Sequence, residues 1–376
     1  MSVPSYDVAV LGAGIVGAAC ARALALAGMS TIVLDRAPIG SGATAAGMGH
    51  ITVLDDSEAQ FALTRYSQQL WDELAPYLPA DVEYVTTGTL WIAVDDEEMD
   101  VVRRKHEFHL ARGVATEILD TRGVADLEPN LRPSLAGGLR VPGESAIYPP
   151  CAARWLIEDA QRCGAVLRLG AEVASVKKRT ILLHDGATIT ADQIVHATGA
   201  WTTRLFPHLA VRPRKGHLVI TDRYPGFVRH QLVELGYLKS AHGNTLESIA
   251  FNLQPRKTGQ LLLGSSRQYD VAHKDVEPHM LKRMIRRALE YMPALARLTA
   301  IRAWTGFRAA TPDSLPLIGP LDGYDGHLLA TGHEGLGITT ALGTAALIAS
   351  HLTGSVPAIP YTPYLPARLA GAVAHG

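Results

Sequence analysis

Cysteine is scarce in this chain of 376 residues, which contains only Cys20, Cys151 and Cys163. None of the three stands in a CxxC or CxxH pair, so the sequence predicts neither an iron–sulfur cluster nor a zinc site, and we expect no bound metal. A small, odd number of cysteines also fits a reducing compartment, where disulfide bonds are rare. We therefore predict a cytoplasmic protein.

Long apolar runs and an excess of charge of either sign are missing as well. No run approaches the roughly 18 apolar residues that span a bilayer, and the N-terminus has no basic segment of the kind that opens a secretory signal. The formal net charge is −1, so no strong field attracts nucleic acid or an anionic membrane. A hydrophobic content of 47% is typical of globular proteins, and the length predicts two domains.

A glycine-rich turn stands close to the start of the chain. Residues 12–17 read GAGIVG, between a predicted strand and a predicted helix, and Asp35 ends the next predicted strand. In this context the GxGxxG spacing predicts a dinucleotide site. Gly12 allows a tight turn, Gly14 lets the backbone approach a pyrophosphate, and Gly17 lets helix and strand pack closely. The helix N-terminus would hold the phosphates and Asp35 a ribose. The weaker alternative is glycines that merely close a turn.

A second pattern favours FAD over NAD as the dinucleotide. Residues 195–201 read VHATGAW, and a strand that ends in Ala-Thr-Gly returns to the same nucleotide in flavoproteins. Residues 39–49 are rich in glycine, alanine, serine and threonine, which predicts a loop that exposes its backbone. The sequence therefore predicts a flavoprotein.

With these motifs in view, the sequence resembles the D-amino-acid oxidase superfamily of flavoproteins, in its glycine oxidase, sarcosine oxidase and D-amino-acid dehydrogenase branch. The resemblance extends in order over nearly the whole chain. The GMGH loop and the HEGLGI turn are most similar to bacterial D-hydroxyproline dehydrogenases. The segments that carry the resemblance are residues 12–17, 42–49, 197–201, 306–308, 313–319 and 331–338.

The resemblance implies an α/β fold with two discontinuous domains. A Rossmann-like FAD-binding domain of the glutathione-reductase-like type would comprise residues 1–83, 142–210 and 301–376. An α+β substrate domain with an antiparallel sheet would comprise residues 84–141 and 211–300.

The resemblance also implies which residues contact FAD. The turn at 332–338 would feed a helix whose N-terminus stabilises negative charge at the pyrimidine end of the flavin. Covalent attachment in this family uses a cysteine near Arg308, and no cysteine follows Cys163, so we expect non-covalent FAD. The expected contacts are Gly12, Gly14, Ile15, Val16, Gly17, Asp35, Arg36, Thr44, Ala45, Ala46, Gly47, Met48, Val173, Gly199, Trp201, Gly332, Gly335, Leu336, Gly337 and Ile338.

Two residues are candidates for the chemistry. Arg308 matches the arginine that binds the substrate carboxylate in glycine oxidase-like enzymes, where a guanidinium makes two charge-assisted hydrogen bonds; a structural ion pair is the alternative. His50 directly follows the flavin loop and would polarise or deprotonate the substrate amine; an ordinary histidine without a catalytic role is the alternative.

The sequence departs from glycine oxidases at two positions. Gly335 stands where their turn carries an arginine, and Asn252 stands where a tyrosine contacts substrate, which places glycine itself in doubt as the substrate. The further pocket residues that we expect are Asn252, Tyr237, Tyr148, Lys215 and Glu334.

The resulting hypothesis is an FAD-dependent oxidation of a small amino or imino acid, favouring D-hydroxyproline or D-proline, by hydride transfer from the α-carbon to flavin N5. A glycine or sarcosine oxidase that releases hydrogen peroxide is one alternative. A non-catalytic, FAD-bearing assembly or scaffold protein is another. Electron-transfer subunits bearing flavin or iron–sulfur clusters would be partners of a dehydrogenase, and self-association stays open.

Overall fold

The N-terminal β-α-β unit opens the first of two β-sheets in the computed structural model, which describes residues 4–236 and 246–369. Strand β1 (Ser5–Leu11) leads through the glycine turn into helix α1 (Ile15–Leu26), and β2 (Thr31–Asp35) follows. The apolar run of β1 becomes buried at Val8 and the residues after it, as expected for a strand inside a parallel sheet. The predicted opening unit is therefore present.

The first sheet has eight strands and surrounds β1. Its order is β17-β18-β11-β1-β2-β8, with the β9–β10 hairpin attached to β11. β1 runs parallel to β2 and β11, and β11 runs parallel to β18. Because these strands are parallel, their carboxyl ends share one edge of the sheet. The remaining strands are β8 (Val166–Leu169), β9 (Val173–Lys177), β10 (Thr180–Leu183), β11 (Thr188–His196), β17 (Leu317–Pro320) and β18 (His327–Thr331).

The second sheet also has eight strands, in the order β16-β12-β15-β14-β13-β4-β6-β5. Its neighbours are antiparallel except for β13 and β4, which run parallel. The strands are β4 (Thr89–Ala93), β5 (Glu117–Asp120), β6 (Gly137–Val141), β12 (Arg212–Arg223), β13 (Gln231–Glu234), β14 (Glu247–Pro255), β15 (Gln260–Gln268) and β16 (Ala300–Ala310). A two-stranded ladder joins β3 (His50–Ile51) to β7 (Ser145–Ala146).

Helices cover both sheets. The other helices are α2 (Glu58–Leu74), α3 (Asp96–Leu110), α4 (Thr121–Leu127), α5 (Pro149–Arg162), α6 (Pro278–Tyr291) and α7 (Ala341–Thr353). Small residues of α1 pack against α5 and α7 in the core beside the first sheet. Within residues 4–236 and 246–369, no helix combines the length and the apolar character needed to cross a membrane.

This architecture confirms the expected α/β class with a sheet-rich second part. The last helix begins at Ala341 and not directly after the predicted turn at 332–338, because residues 337–340 form turns first. β16 lies in the range that we expected in the FAD-binding domain, yet it pairs along its length with β12 of the second sheet. The division into domains stays a prediction.

Helix α2 contacts the glycine turn at residues 332–338, which is called the late glycine turn below. Ser57 caps it, because its side chain accepts a hydrogen bond from the Gln60 N–H, which satisfies one of the free donors at the helix N-terminus. Trp71 is fully buried, and its indole N–H donates to the carbonyl oxygens of Ile338 at 3.2 Å and Thr339 at 3.0 Å. The Trp71 side chain therefore packs in the core and also hydrogen-bonds to the backbone of the turn.

We expect Trp71→Phe to lower the free energy of unfolding by about 1–3 kcal/mol, because the two carbonyl groups lose their buried donor. FAD affinity should fall as well, since the turn lines the cavity described below. Trp155→Phe is the matched control: Trp155 lies partly exposed on α5 under Arg22 and away from that turn. Denaturant unfolding and FAD titration measure both effects, and equal losses in the two variants would contradict the assignment.

Candidate active site

A cavity of about 450 Å³ lies between the two sheets. The opening glycine turn and the late turn at 333–339 both line it, as do the loop at 41–50 and residues of β12, β14, β15 and β16. The two glycine turns, some 320 residues apart in the sequence, thus face one space, as they must if both contact one cofactor.

The first glycine turn is formed by backbone groups that leave no room for side chains. Gly12 has a φ of +111°, and a Cβ there would lie 2.5 Å from the Ala197 carbonyl oxygen. A Cβ on Gly17 would lie 1.9 Å from the Gly12 oxygen. Gly14 precedes α1 without a side-chain cap. The first residues of α1 line the cavity, and the Ile15 N–H donates to the Thr44 hydroxyl at 3.0 Å. A helix N-terminus in this place suits a pyrophosphate.

Asp35 stands beside this turn and also lines the cavity. Its carboxylate accepts hydrogen bonds from the backbone N–H of Ala13 at 2.7 Å and of Ala37 at 2.8 Å. Asp35 thus fixes the turn, and a carboxylate keeps further acceptor capacity for ribose hydroxyls. Nearby, the Arg36 guanidinium lies 5.9 Å from the centre of the Trp201 ring.

The loop after β2 is held between the late turn and the second sheet. A Cβ on Gly47 would meet the side chain of Ile338 at 2.5 Å, and a Cβ on Gly306 would meet Ala46 at 2.2 Å. The Met48 carbonyl oxygen accepts from the Gln254 side chain at 2.8 Å. These contacts fix the glycine- and alanine-rich loop along one wall of the cavity.

The late turn brings one polar side chain into the cavity and buries another. His333 is buried, its Nε2 lies 2.9 Å from the Thr344 hydroxyl, and burial lowers the pKa of His333 to about 3. Glu334 has a φ of +50°, a conformation that costs a non-glycine residue free energy and often marks a functional position. Glu334 lines the cavity.

Three arginines surround Glu334. Arg308 on β16, Arg214 on β12 and Arg267 on β15 all line the cavity. A guanidinium N–H of Arg214 donates to the Glu334 carboxylate at 3.3 Å, and Arg267 Nε lies 3.9 Å from it. Burial raises the pKa of Glu334, but the positive charges of Arg308, Arg267 and Arg214 lower it by more, so that the net shift of the pKa is downward. Glu334 is therefore a carboxylate at neutral pH.

Arg308 is positioned by the neighbouring strands. Its guanidinium donates to the Ser266 carbonyl oxygen at 3.0 Å, and it lies over Gly216, where a Cβ would be 2.4 Å from a terminal nitrogen. The absence of a side chain at Gly216 is thus a condition for this orientation of Arg308.

His50 is the other candidate for the chemistry, and it lines the cavity near the end of the loop. Burial lowers its pKa to about 4, so its ring is neutral at physiological pH. Its Nε2 is buried and has no hydrogen-bond partner among the residues that the structure describes. A neutral ring with an unsatisfied nitrogen suits hydrogen bonding to a ligand.

Most of the predicted site residues meet in this cavity, but two predicted pocket residues do not. Lys215 neighbours Arg214 and Gly216 on β12, so its side chain projects to the other face of the sheet, where it is buried and paired with Glu277 at 3.2 Å. The Tyr148 ring packs under the Arg256 guanidinium, 4.2 Å from its centre. Tyr237 lies outside the described residues.

The cavity lining covers most of the expected cofactor contacts. Gly17, Ala45 and Gly332 stand behind it and shape the turns. Four residues of the lining were not predicted from the sequence: Arg214, Arg267, Ser265 and Leu218. Side chains alternate between the two faces of a strand, but the face that lines the cavity cannot be identified before the register of the strands is known. The predicted residues that line the cavity are Gly12, Gly14, Ile15, Val16, Asp35, Arg36, Thr44, Ala46, Gly47, Met48, His50, Val173, Gly199, Trp201, Asn252, Arg308, Glu334, Gly335, Leu336, Gly337 and Ile338.

A dinucleotide turn, a second glycine turn on the same cavity and an arginine-lined end together are typical of a flavin-dependent oxidoreductase. The family model described as DAO, FAD dependent oxidoreductase, matches residues 7–351. The chain belongs to this family.

Individual relatives match over nearly their whole length. Glycine oxidase of Pseudomonas aeruginosa is 27% identical over 96% of this chain and 99% of its own. Hydrogen cyanide synthase subunit HcnC of the same organism is 24% identical over 97% and 96%. The glycine oxidase structure from Geobacillus kaustophilus superimposes with a TM-score of 0.88 at 25% identity, covering 97% and 99%. L-proline dehydrogenase from P. horikoshii gives a TM-score of 0.88 at 23% identity, covering 99% and 100%, and shows the shared fold.

The enzyme is thus an FAD-dependent amino-acid oxidase or dehydrogenase, and its cavity fits the cofactor. The N-terminus of α1 at Gly14 suits the pyrophosphate, and the side chains of Ile338 and Ala46 pack directly on Gly47 and Gly306, where a Cβ would clash with them. The free cysteines Cys20, Cys151 and Cys163 are absent from the cavity lining, in keeping with the expectation of non-covalent FAD.

We expect Gly216→Ala to raise KM at least tenfold while FAD stays bound, because the new methyl group displaces the flexible guanidinium of Arg308 rather than backbone. Stability should change by less than about 1 kcal/mol, since a side-chain end gives way more easily than a packed core. Gly143→Ala is the control, because a Cβ there meets nothing within 4 Å. Steady-state kinetics with an amino-acid substrate decide, and an unchanged KM for Gly216→Ala would refute the role of this glycine.

Proposed function

We propose that this enzyme oxidises a small amino or imino acid at the carbon next to nitrogen, with the substrate carboxylate on Arg308. Bound FAD supplies the acceptor, at flavin N5, for the hydride that leaves the α-carbon. The amine gives up one proton, so that the C–N single bond becomes an imine and two electrons leave the substrate. The observation that carries the proposal is Arg308, a guanidinium in the cavity that both glycine turns line.

Arg308 orients the substrate through its planar fork. A guanidinium and a carboxylate form two parallel charge-assisted hydrogen bonds, which fix both position and rotation. The Ser266 carbonyl takes one N–H of Arg308, and a guanidinium has five such donors. Donors remain for the substrate, and the anchored carboxylate holds the α C–H bond in one direction.

His50 acts in this proposal as a neutral hydrogen-bonding group rather than as a base. Its pKa of about 4 lies far below the value of roughly 10 for an aliphatic ammonium, so proton transfer from substrate to His50 is strongly uphill. The unsatisfied Nε2 can instead hydrogen-bond to the amine. The amine proton then goes to solvent, and the enzyme selects substrate whose amine is already neutral.

The substrate that the motif resemblance favours is D-proline or D-hydroxyproline. A glycine or sarcosine oxidase is the second candidate, supported by the name of the Pseudomonas aeruginosa relative, although Gly335 and Asn252 depart from that pattern. Partner subunits belong to this proposal as well, because the HcnC relative is by its name a subunit. The cytoplasmic location expected from the cysteine content stays part of the proposal.

The decisive experiment mixes the FAD-loaded enzyme with amino acids in the absence of oxygen and follows loss of the yellow flavin absorbance. The panel is D-proline, cis-4-hydroxy-D-proline, glycine and sarcosine, with the L-enantiomers beside the chiral members. We expect reduction by at least one of them. If none bleaches the flavin, a non-catalytic scaffold role replaces the proposal, and peroxide release in air would mark an oxidase.

Arg308→Ala should lower kcat/KM at least a hundredfold, because the carboxylate loses two charge-assisted bonds, each worth about 1.5–3 kcal/mol. FAD content should stay that of the wild type. Arg212→Ala, on the exposed end of β12 and paired with Asp270, is the matched control. Unaltered kinetics in Arg308→Ala would show that the carboxylate binds elsewhere.

The pH dependence separates the two roles of His50. With His50 neutral above about pH 5, kcat/KM should rise with pH until the substrate amine is deprotonated. His50→Gln should lower kcat but leave the apparent pKa of that rise in place. Stopped-flow flavin reduction between pH 6 and 10 measures it, and a pKa that moves or disappears in the variant would restore His50 as the base.

A further inference from the structure

The side chain of Arg308 extends across one strand to reach a backbone acceptor on the next. β16 carries Arg308, β12 lies beside β16, and β15 follows. The guanidinium lies over Gly216 of β12 and donates to the carbonyl oxygen of Ser266 on β15 at 3.0 Å. The position of the guanidinium therefore depends on how β12 and β15 meet at Ser266.

The pairing of β12 with β15 is irregular at this point. Lys215 pairs with Gln268 and Val219 with Leu263, so that the three intervening residues of β12 face four of β15. An extra residue in one strand is a β-bulge, which interrupts the ladder and bends the backbone. Side chains that bind the bulge can therefore decide where the Ser266 carbonyl group points.

The hydroxyl group of Ser266 is bound twice by one residue of β12. The backbone N–H of His217 donates to Ser266 Oγ at 2.9 Å, and ring Nδ1 of His217 lies 2.9 Å from the same oxygen. Both residues are fully buried and outside the cavity lining, which includes Ser265 and Arg267 on either side of Ser266. The two side chains therefore meet behind the cavity wall.

The proton of the His217 ring is located by its second neighbour. Nε2 accepts a hydrogen bond from the backbone N–H of Glu277 at 3.1 Å, so the neutral ring carries its proton on Nδ1 and donates it to Ser266. Burial, together with the positive charge of Lys215, lowers the pKa of His217 to about 4. The ring is therefore neutral at physiological pH, and Ser266 Oγ accepts both bonds with its two lone pairs.

Glu277 connects this pair to the helix behind the sheet. It immediately precedes α6, and its carboxylate pairs with the buried Lys215 at 3.2 Å. Its backbone N–H holds the ring of His217. Lys215, which the sequence predicted in the pocket, thus belongs to the group that supports the pocket from behind.

We propose that Ser266 and His217 are positioning residues for Arg308. Two hydrogen bonds from His217 fix the Ser266 side chain, and Ser266 in turn directs its carbonyl oxygen toward the guanidinium. The role rests on the proposed function, in which Arg308 binds the substrate carboxylate. Carboxylate binding then depends on a hydroxyl group that does not touch the substrate.

A purely structural role of the pair would have a different consequence. Loss of a buried hydrogen-bonded pair lowers stability and would weaken all ligands of the cavity alike. Loss of orientation at Arg308 weakens a ligand only as far as the ligand uses the guanidinium, so a carboxylate is affected and a neutral ligand of the same shape is not.

Methylthioacetate and its amide are such a pair of ligands, and neither can be oxidised as an amine. Each is titrated into the FAD-loaded enzyme and followed by flavin absorbance and calorimetry. Ser266→Ala should raise the Kd of methylthioacetate at least about fivefold, because a misdirected guanidinium loses one of its two charge-assisted bonds, and that of the amide less than about twofold.

Thr221→Val is the matched control. The buried Thr221 hydroxyl also accepts a backbone N–H between β12 and β15, that of Leu261 at 3.0 Å, but both residues lie outside the cavity lining. The variant should lose stability and leave the Kd of both ligands unchanged.

The ring of His217 is tested by two further variants. His217→Leu keeps the backbone N–H and removes the ring donor, so the Kd of methylthioacetate should rise by an intermediate factor, about threefold. His217→Asn places a side-chain N–H near the position of Nδ1 and should restore the affinity to within about twofold of the wild type. These two variants decide the question if Ser266→Ala does not fold: an affinity for methylthioacetate equal to that of the wild type in His217→Leu would overturn the proposal.

The double variant of Ser266→Ala and Arg308→Ala should bind methylthioacetate no more weakly than Arg308→Ala alone, because Ser266 acts through Arg308. A further loss in the double variant, an unchanged Kd in Ser266→Ala, or equal losses for the acid and the amide would each overturn the positioning role. The proposed function stands in these cases if Arg308→Ala alone weakens methylthioacetate. If Arg308→Ala binds it like the wild type, the carboxylate anchor of the proposed function and the positioning role both fail.

Discussion

Close packing at glycines, where a neighbouring backbone or side-chain atom occupies the space that a Cβ would need, is the constraint on which this structure depends. At Gly12 and Gly17 the opening turn closes on Ala197 and on itself, and at Gly47 and Gly306 the loop closes on the late turn and on β16. A single methyl group at these points would separate surfaces that form the cavity wall. Because interiors are close-packed, such a separation cannot be absorbed locally. The cavity therefore exists in its present form only because four distant segments end in glycine contacts.

Much of this arrangement could be predicted because its signals are local. The GxGxxG turn, the Ala-Thr-Gly strand end and the late glycine turn each need only a few consecutive residues, and parallel strands then bring their ends together. Arg308 could be predicted for the same reason, since it follows a recognisable Gly-Phe dipeptide. These features depend little on how the second sheet is assembled.

The second sheet contains residues of the cavity lining that could not be predicted from local sequence patterns. Arg214 lines the cavity while Lys215 is buried on the opposite face, because a shift of one residue along a strand reverses the side of the sheet. Nothing in the sequence around Arg267 marks it as a neighbour of Arg214 until the register of β12 and β15 is known. Tyr148 was expected in the pocket, and its ring instead packs against Arg256.

The two ends of the cavity differ in the kind of charge that they present to a ligand. At the nucleotide end, partial charges of the α1 N-terminus and fixed backbone N–H groups suffice, and Asp35 is used to hold the turn. At the other end, whole charges are buried beside one another, and Glu334 is kept in a left-handed conformation to stand among them. A carboxylate held at that conformational cost lowers the repulsion between Arg214 and Arg267 without removing it. In the proposed function the substrate carboxylate binds to Arg308 at this end of the cavity, so that binding and orientation of the substrate depend on the same guanidinium.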